Sequence, residues 1–276
     1  MTELFMRLGI DVSTAWGIYG AAWAGLFSFI TIIWGIGLFQ GNHSMMDGFY
    51  GFCYASVGWF AFYMSGAKSM YSGLLFLMLS LHGCRLGFYL MKRWVGYRRK
   101  GGAGDPRYVA WVSKLSPGYW WKSFFVVMHP QTVVIMIIGL PAYFGIVSMS
   151  QSHVPMNGLC LIGLLIFGIG TYFEWLADGQ LQAFLADPHN EGRLLRTGVW
   201  KTTRHPNYFG NVCVWWGIYI VAVAGNPQIW WTIVGPLVDT IMLTRVLGAS
   251  LADKYLADVP GYKDLMRATN AFFPKF

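Results

Sequence analysis

LLRTGVWKTTRHPNYFGNVCVWW, residues 194–216, crosses from a charged loop into an apolar helix. Arg196, Lys201, Arg204 and His205 precede Asn207; after it the charges stop, and an apolar run continues to Gly225. Pro206 suits the first turn of that helix, where its missing N–H costs nothing. His205 and Asn207 then lie where free backbone N–H groups and the positive helix end face water. Such a place suits an anion, phosphate above all. The plainer alternative is a basic juxtamembrane collar that only fixes topology.

The rest of the chain agrees with a membrane setting. Of its 276 residues 55% are hydrophobic and only 12% are charged, against about 25% charged in a soluble domain. The net charge of +8 is placed beside apolar spans, which argues against nucleic acid as a partner. The opening MTELFMRLGIDVSTAWG lacks the pattern of a cleavable signal peptide, so the first apolar helix is expected to serve for insertion. Cys53, Cys84, Cys160 and Cys213 are isolated within apolar runs and read as small buried residues, without metal spacing.

Seven apolar spans are predicted, near 17–39, 45–65, 69–91, 119–149, 156–178, 207–225 and 229–248. Each approaches the roughly 20 helical residues a bilayer core needs. The fourth is overlong and holds Pro130 and Pro141, which predicts a kink. The fifth is expected to continue as helix to about Ala186. Basic residues cluster after spans three, five and seven: Lys92 to Lys122, Arg193 to Arg204, and Arg245 to Lys275, leaving only Arg7, Lys68 and Arg85 elsewhere. The positive-inside rule then puts the N-terminus outside and the C-terminus in the cytoplasm. The expected architecture is all-α, one domain, a bundle of seven transmembrane helices.

Ionisable groups inside a membrane mark a site unless they merely pair with each other. Asp47, Tyr50 and Tyr54 share a face of span two. His82, Arg85, Tyr89 and Arg93 form a stripe on span three. Glu174, Asp178 and Gln182 line span five, Tyr208 and Asn211 span six, and Asp239 lies in span seven. An internal ion pair such as Asp47 with Arg85 is the structural alternative. Together the stripes suggest a polar cavity opening to the cytoplasm. No H-E-x-x-H, C-x-x-C or G-x-G-x-x-G is present, so neither zinc chemistry nor a Rossmann domain is expected. The glycine-rich RRKGGAGDPRY at 98–108 offers a second candidate phosphate clamp, since arginine forks match phosphate oxygens.

G-x-W-x-x-x-R-H-P-N-Y-x-G at Gly198 to Gly210, D-x-R-Y at Asp105 to Tyr108, Glu174 with Asp178, and Y-x-x-x-x-R-x-T-N-A-F-F-P at Tyr262 to Pro274 together resemble the steroid 5α-reductase superfamily. Its relatives include the sterol C14-reductases and the isoprenylcysteine carboxyl methyltransferases. The resemblance implies a seven-helix bundle that takes NADPH from the cytoplasm. The cofactor set it implies is Arg93, Asp105, Arg107, Tyr108, Glu174, Asp178, Arg196, Arg204, His205, Asn207, Tyr208 and Asn211, with Tyr255 and Asn270 closing the pocket. Arg85 and Tyr89 match residues beside the nicotinamide. Asp47 and His82 fall where the family holds a substrate carbonyl. The chain departs from the pattern at Asn211, Leu185 and Met46–Asp47.

The expected activity is NADPH-dependent reduction of a conjugated C=C bond in a 3-oxo-4-ene steroid or similar lipid enone. Asp47 and His82 would activate the carbonyl, because hydride addition to the β-carbon builds negative charge on the carbonyl oxygen. The alternative is a membrane methyltransferase using S-adenosylmethionine, whose family shares R-H-P-N-Y-x-G. The expected partners are a lipid-like substrate and membrane lipids, with no obligate protein partner and no metal. The expected location is a bacterial inner membrane or, in a eukaryote, the endoplasmic reticulum.

Overall fold

The computed structural model describes residues 11–99, 105–246, 248, 253–254 and 256–275. Tyr255 and the Gly101, Gly102 and Gly104 turn, both singled out above, lie outside the described residues. The chain packs as two compact units, Met1–Met156 with Gly225–Thr232, and Asn157–Ala224 with Ile233–Phe276. The first holds α1 (Ala15–Phe39), α2 (Met45–Met64), α3 (Met70–Arg99), α4 (Pro106–Leu115), α5 (Tyr119–Ile138) and α6 (Leu140–Ser148). The second holds α7 (Gly158–Ala186), most of α8 (Pro206–Gly225), α9 (Val234–Ile241) and α10 (Tyr262–Ala268). Among the described residues there is no strand, only an isolated parallel bridge between Thr203 and Asn270.

Among the described residues, six helical segments are long and apolar enough to cross a membrane: α1, α3, α5, α7, α8 and Pro227–Val246. They mark an integral multi-pass membrane protein. Their outward faces keep large apolar side chains exposed, among them Leu77, Leu81 and Phe88 on α3 and Leu161, Leu165 and Trp175 on α7. The predicted second span forms as α2, and its 20 residues match α5 and α8 in length. Its three glycines, three tyrosines, serine and Asp47 leave it less apolar than the six. The predicted fourth span is divided. Pro130 cannot supply the N–H that would bond the Val126 carbonyl, and the helix widens to a π turn over Phe124–Met128 just before it. A second break at Gly139 precedes Pro141.

Helix ends follow local chemistry. Thr14 caps α1 by accepting the Gly17 N–H at 3.0 Å. Asn157 caps α7 by accepting the Cys160 N–H at 3.0 Å, and its amide donates to the Ala224 carbonyl at the end of α8. One side chain thus starts one helix and finishes its neighbour. The predicted extension of α7 to Ala186 is present, and Pro206 opens α8.

Glycines set how closely the helices pack. A Cβ on Gly51 of α2 would lie 2.2 Å from the Gly87 nitrogen and 2.6 Å from the Gly83 carbonyl oxygen of α3. Gly58 faces Leu79, and Gly48 faces Met91. These contacts fix an antiparallel hairpin with backbone against backbone. The second unit repeats the device. Gly163 and Gly170 of α7, seven residues apart, face Gly217 and Gly210 of α8, also seven apart; added Cβ atoms would meet backbone at 2.6–3.0 Å. In both hairpins the seam leaves no room for side chains, so polar groups one turn along are held in fixed register.

Candidate functional site

In the first unit, Asp47 sits in the first turn of α2 and gathers three donors. Its Oδ1 accepts from the Tyr108 hydroxyl at 2.8 Å. Its Oδ2 accepts from Arg93 Nη2 at 2.9 Å and from Arg107 Nη2 at 2.5 Å. Asp105 prepares this arrangement. It caps α4 by accepting the Arg107 N–H, and it also accepts from Arg107 Nε and Nη2 at 2.9 and 3.0 Å. D-x-R-Y is therefore a helix start that aims its own arginine and tyrosine at Asp47. Partial desolvation opposes the Arg107 charge, but the bond it donates to Asp105 and the charges of Asp47 and Asp105 hold the guanidinium above its ordinary value. Burial, then the Asp47 charge, pushes the Tyr108 phenol up. Gln131 of α5 supports the same hydroxyl at 3.3 Å.

The stripe predicted on α3 is present. His82 is buried, with the Tyr54 ring 6.3 Å away, and Arg85 and Tyr89 are half-buried on the next turns. Tyr54 in turn meets Tyr50, their hydroxyls 3.2 Å apart. The structural alternative of an Asp47–Arg85 pair gives way to Arg93 and Arg107. Gly48 faces Met91, so the hairpin register carries Asp47 to the Arg93 turn, two turns beyond Arg85. Asp47 and His82 lie along the same hairpin, with Tyr50 and Tyr54 on the intervening turns of α2.

In the second unit the seam holds two rungs of amide and carboxylate between α7 and α8. Asn211 donates to Glu174 at 3.0 Å, and Asn207 donates to Asp178 at 3.4 Å. Both carboxylates are buried. G-x-W docks the preceding loop on α7: Trp200 Nε1 donates to the Ala177 carbonyl at 3.0 Å, and the Val199 N–H to Gln180 at 3.1 Å. Gly198 has a φ of 59°, and a Cβ there would strike the Gln180 amide.

Arg204 and His205, expected to face a cofactor, both bond the protein's own Asp253. Arg204 reaches both carboxylate oxygens, at 3.2 and 3.0 Å, and His205 Nε2 lies 2.9 Å from Oδ1. The Tyr262 hydroxyl donates to the same oxygen. Arg204 Nη1 also donates to the Thr269 carbonyl at 2.7 Å, leaving the side chain 8% exposed. Burial alone would raise the Asp253 carboxyl; the bonds from Arg204, Tyr262 and His205 outweigh it and push it down to about 2. Burial also lowers the His205 imidazole against the pull of Asp253. Nε2, the nitrogen beside the carboxylate, is the one that carries the proton when the ring is neutral. Tyr208 stacks on His205 with centroids 5.3 Å apart.

The tail follows this anchor. The Arg204 N–H donates to the Asn270 carbonyl, the Lys275 N–H to the Thr202 carbonyl, and Thr203 Oγ1 to the Phe272 carbonyl. Arg196 donates to the Gly261 carbonyl at 2.6 Å from an exposed position, and Asn270 is itself exposed. Sequence reasoning missed Asp253 and Gln131, and it marked Tyr262 only as the start of a motif without a role. The carboxylate partner follows only once Arg204 is seen to be nearly buried, a fact the sequence does not carry.

Residues 33–269 match a family model described as "Protein of unknown function (DUF1295)". No curated protein and no solved structure matches the chain.

Proposed function

The chain belongs to the DUF1295 family, whose match takes in every candidate site residue but Asn270, and from that premise we propose that it is a membrane-bound, NADPH-dependent reductase of a conjugated C=C bond in a steroid-like or other lipid enone. The resemblance of G-x-W-x-x-x-R-H-P-N-Y-x-G to the steroid 5α-reductase superfamily supports this. The observation that carries it is the pair of rungs, Asn207–Asp178 and Asn211–Glu174, at the start of α8. They set amide donors and carboxylate acceptors beside a helix N-terminus. That donor set suits the amide and amine groups of a dinucleotide, and the exposed Arg193 and Arg196 suit its phosphates. When bound, NADPH supplies hydride. The chain's own residues then orient and protonate. Both oxygens of Asp47 are already acceptors, so Asp47 acts by holding Arg107 and Tyr108 in place. The resemblance gives His82 the role of donor to the substrate carbonyl oxygen, and Arg85 and Tyr89 that of neighbours of the nicotinamide.

In this reading α2 also spans and brings the number to seven, the N-terminus is outside, and the basic loops and C-terminus are cytoplasmic, in a bacterial inner membrane or an endoplasmic reticulum. A second reading rests on R-H-P-N-Y-x-G alone: a methyltransferase using S-adenosylmethionine. Thermal melting of the detergent-purified protein with NADPH, NADH and S-adenosylmethionine in parallel separates them. A ligand at about 100 times its Kd stabilises the folded state by roughly 2.7 kcal/mol. A rise with NADPH alone is expected; a rise with S-adenosylmethionine alone would replace the reductase by the methyltransferase.

A further inference from the structure

Helix α3 has 30 residues, which at about 1.5 Å per residue gives roughly 45 Å, well beyond a hydrocarbon core of about 30 Å. Its last turns therefore stand at headgroup level. There the helix carries two faces. His82, Arg85, Tyr89 and Arg93 form the stripe that reaches Asp47. On the outer side Phe88, Met91, Lys92, Val95, Gly96 and Arg99 line a groove of about 460 Å³.

The groove is built on a fixed base. The Phe88 ring packs edge-on against Phe52 of α2 at 5.1 Å, and Met91 lies against Gly48. A Cβ on Gly96 would meet nothing within 4 Å, so the glycine opens the notch. Lys92 and Arg99 are exposed and two turns apart, with apolar side chains between them. An apolar floor flanked by two cations at headgroup depth complements one kind of molecule, a lipid with a negatively charged head.

We propose that this groove binds one anionic phospholipid, with its phosphate between Lys92 and Arg99 and its first acyl carbons on Phe88, Met91 and Val95. Attraction to a membrane surface is worth about 1 kcal/mol per basic residue, so removing both cations weakens retention roughly thirty-fold. The test is native mass spectrometry of the full chain released from micelles containing phosphatidylglycerol or phosphatidylcholine. One phosphatidylglycerol is expected to remain bound in preference to phosphatidylcholine. Lys92→Gln with Arg99→Gln should lose it, and so should Gly96→Phe, which fills the notch and keeps both charges. Lys263→Gln with Arg267→Gln, which removes the same charge far along the sequence, should not. The proposal is overturned if that control loses the lipid equally, if Gly96→Phe retains it, if phosphatidylcholine binds as well, or if inorganic phosphate displaces the lipid.

Discussion

Asp253→Asn would remove the charge that Arg204, His205 and Tyr262 share. The carboxyl is held at about 2 against an ordinary 3.8, and each pKa unit is worth about 1.4 kcal/mol. The folded-state value lies below the unfolded one. The stabilisation, about 2–3 kcal/mol, is therefore fully present above pH ~4 and is lost as pH falls through about 2. Breaking a buried ion pair by deleting one partner costs about 3–5 kcal/mol. With Asp253 18% exposed, the lower range applies. Asp253 holds Arg204 in place, and Arg204 with its neighbours in 202–205 bonds the 269–275 segment, so the loss falls on that contact. Opening there should become roughly 30- to 150-fold more frequent. Hydrogen exchange at the Arg204 and Lys275 amides, which bond Asn270 and Thr202, reads this directly. Arg204→Gln added to Asp253→Asn should cost less than Arg204→Gln alone, since the two share one interaction. Unchanged protection at both amides in Asp253→Asn would refute the anchoring argument.

Asp47→Asn and His82→Ala should each lower turnover by about 100-fold or more while the NADPH-induced rise in melting temperature persists; full activity in both would remove them from the chemistry. Gly170→Leu would drive a side chain into backbone 2.6 Å away and should abolish the monodisperse folded peak on size exclusion, whereas Gly168→Ala, with open space around it, should not. His43 is buried between Tyr119 and Ser123 at 3.1 and 3.0 Å, and burial lowers its imidazole to about 4. Its unfolded form takes a proton first as pH falls. Stability should therefore decline from about pH 6.5 to 4 by roughly 3 kcal/mol, and His43→Phe should flatten that part of a pH–melting profile.

Apolar run lengths and Pro206 made the helix bounds of α7 and α8 legible within a few residues. The stripe on α3 was legible too, because 3.6-residue periodicity is a property of one segment. Which stripe residue meets Asp47 was not, because that depends on the register between two helices. Gly48, Gly51, Gly83 and Gly87 encode that register, but only once they are known to face each other. Asp253 was hidden for a different reason. It lies in a charged tail without periodicity, and only the enclosure of Arg204 gives it a role. The divided fourth span was half legible: the prolines announced a break, and the π turn shows where the carbonyl register slips.

The seam glycines bear on how loss-of-function screens would read this protein. Gly210 adjoins Asn211, Gly170 lies one turn from Glu174, and Gly51 one turn from Asp47. A selection for lost activity would therefore return glycine and polar positions interleaved, as though they formed a single functional patch. Their origins differ. A glycine hit would deplete the amount of protein reaching the membrane, while a polar hit would leave that amount intact and silence it. Scoring abundance beside activity for each variant would sort the two sets.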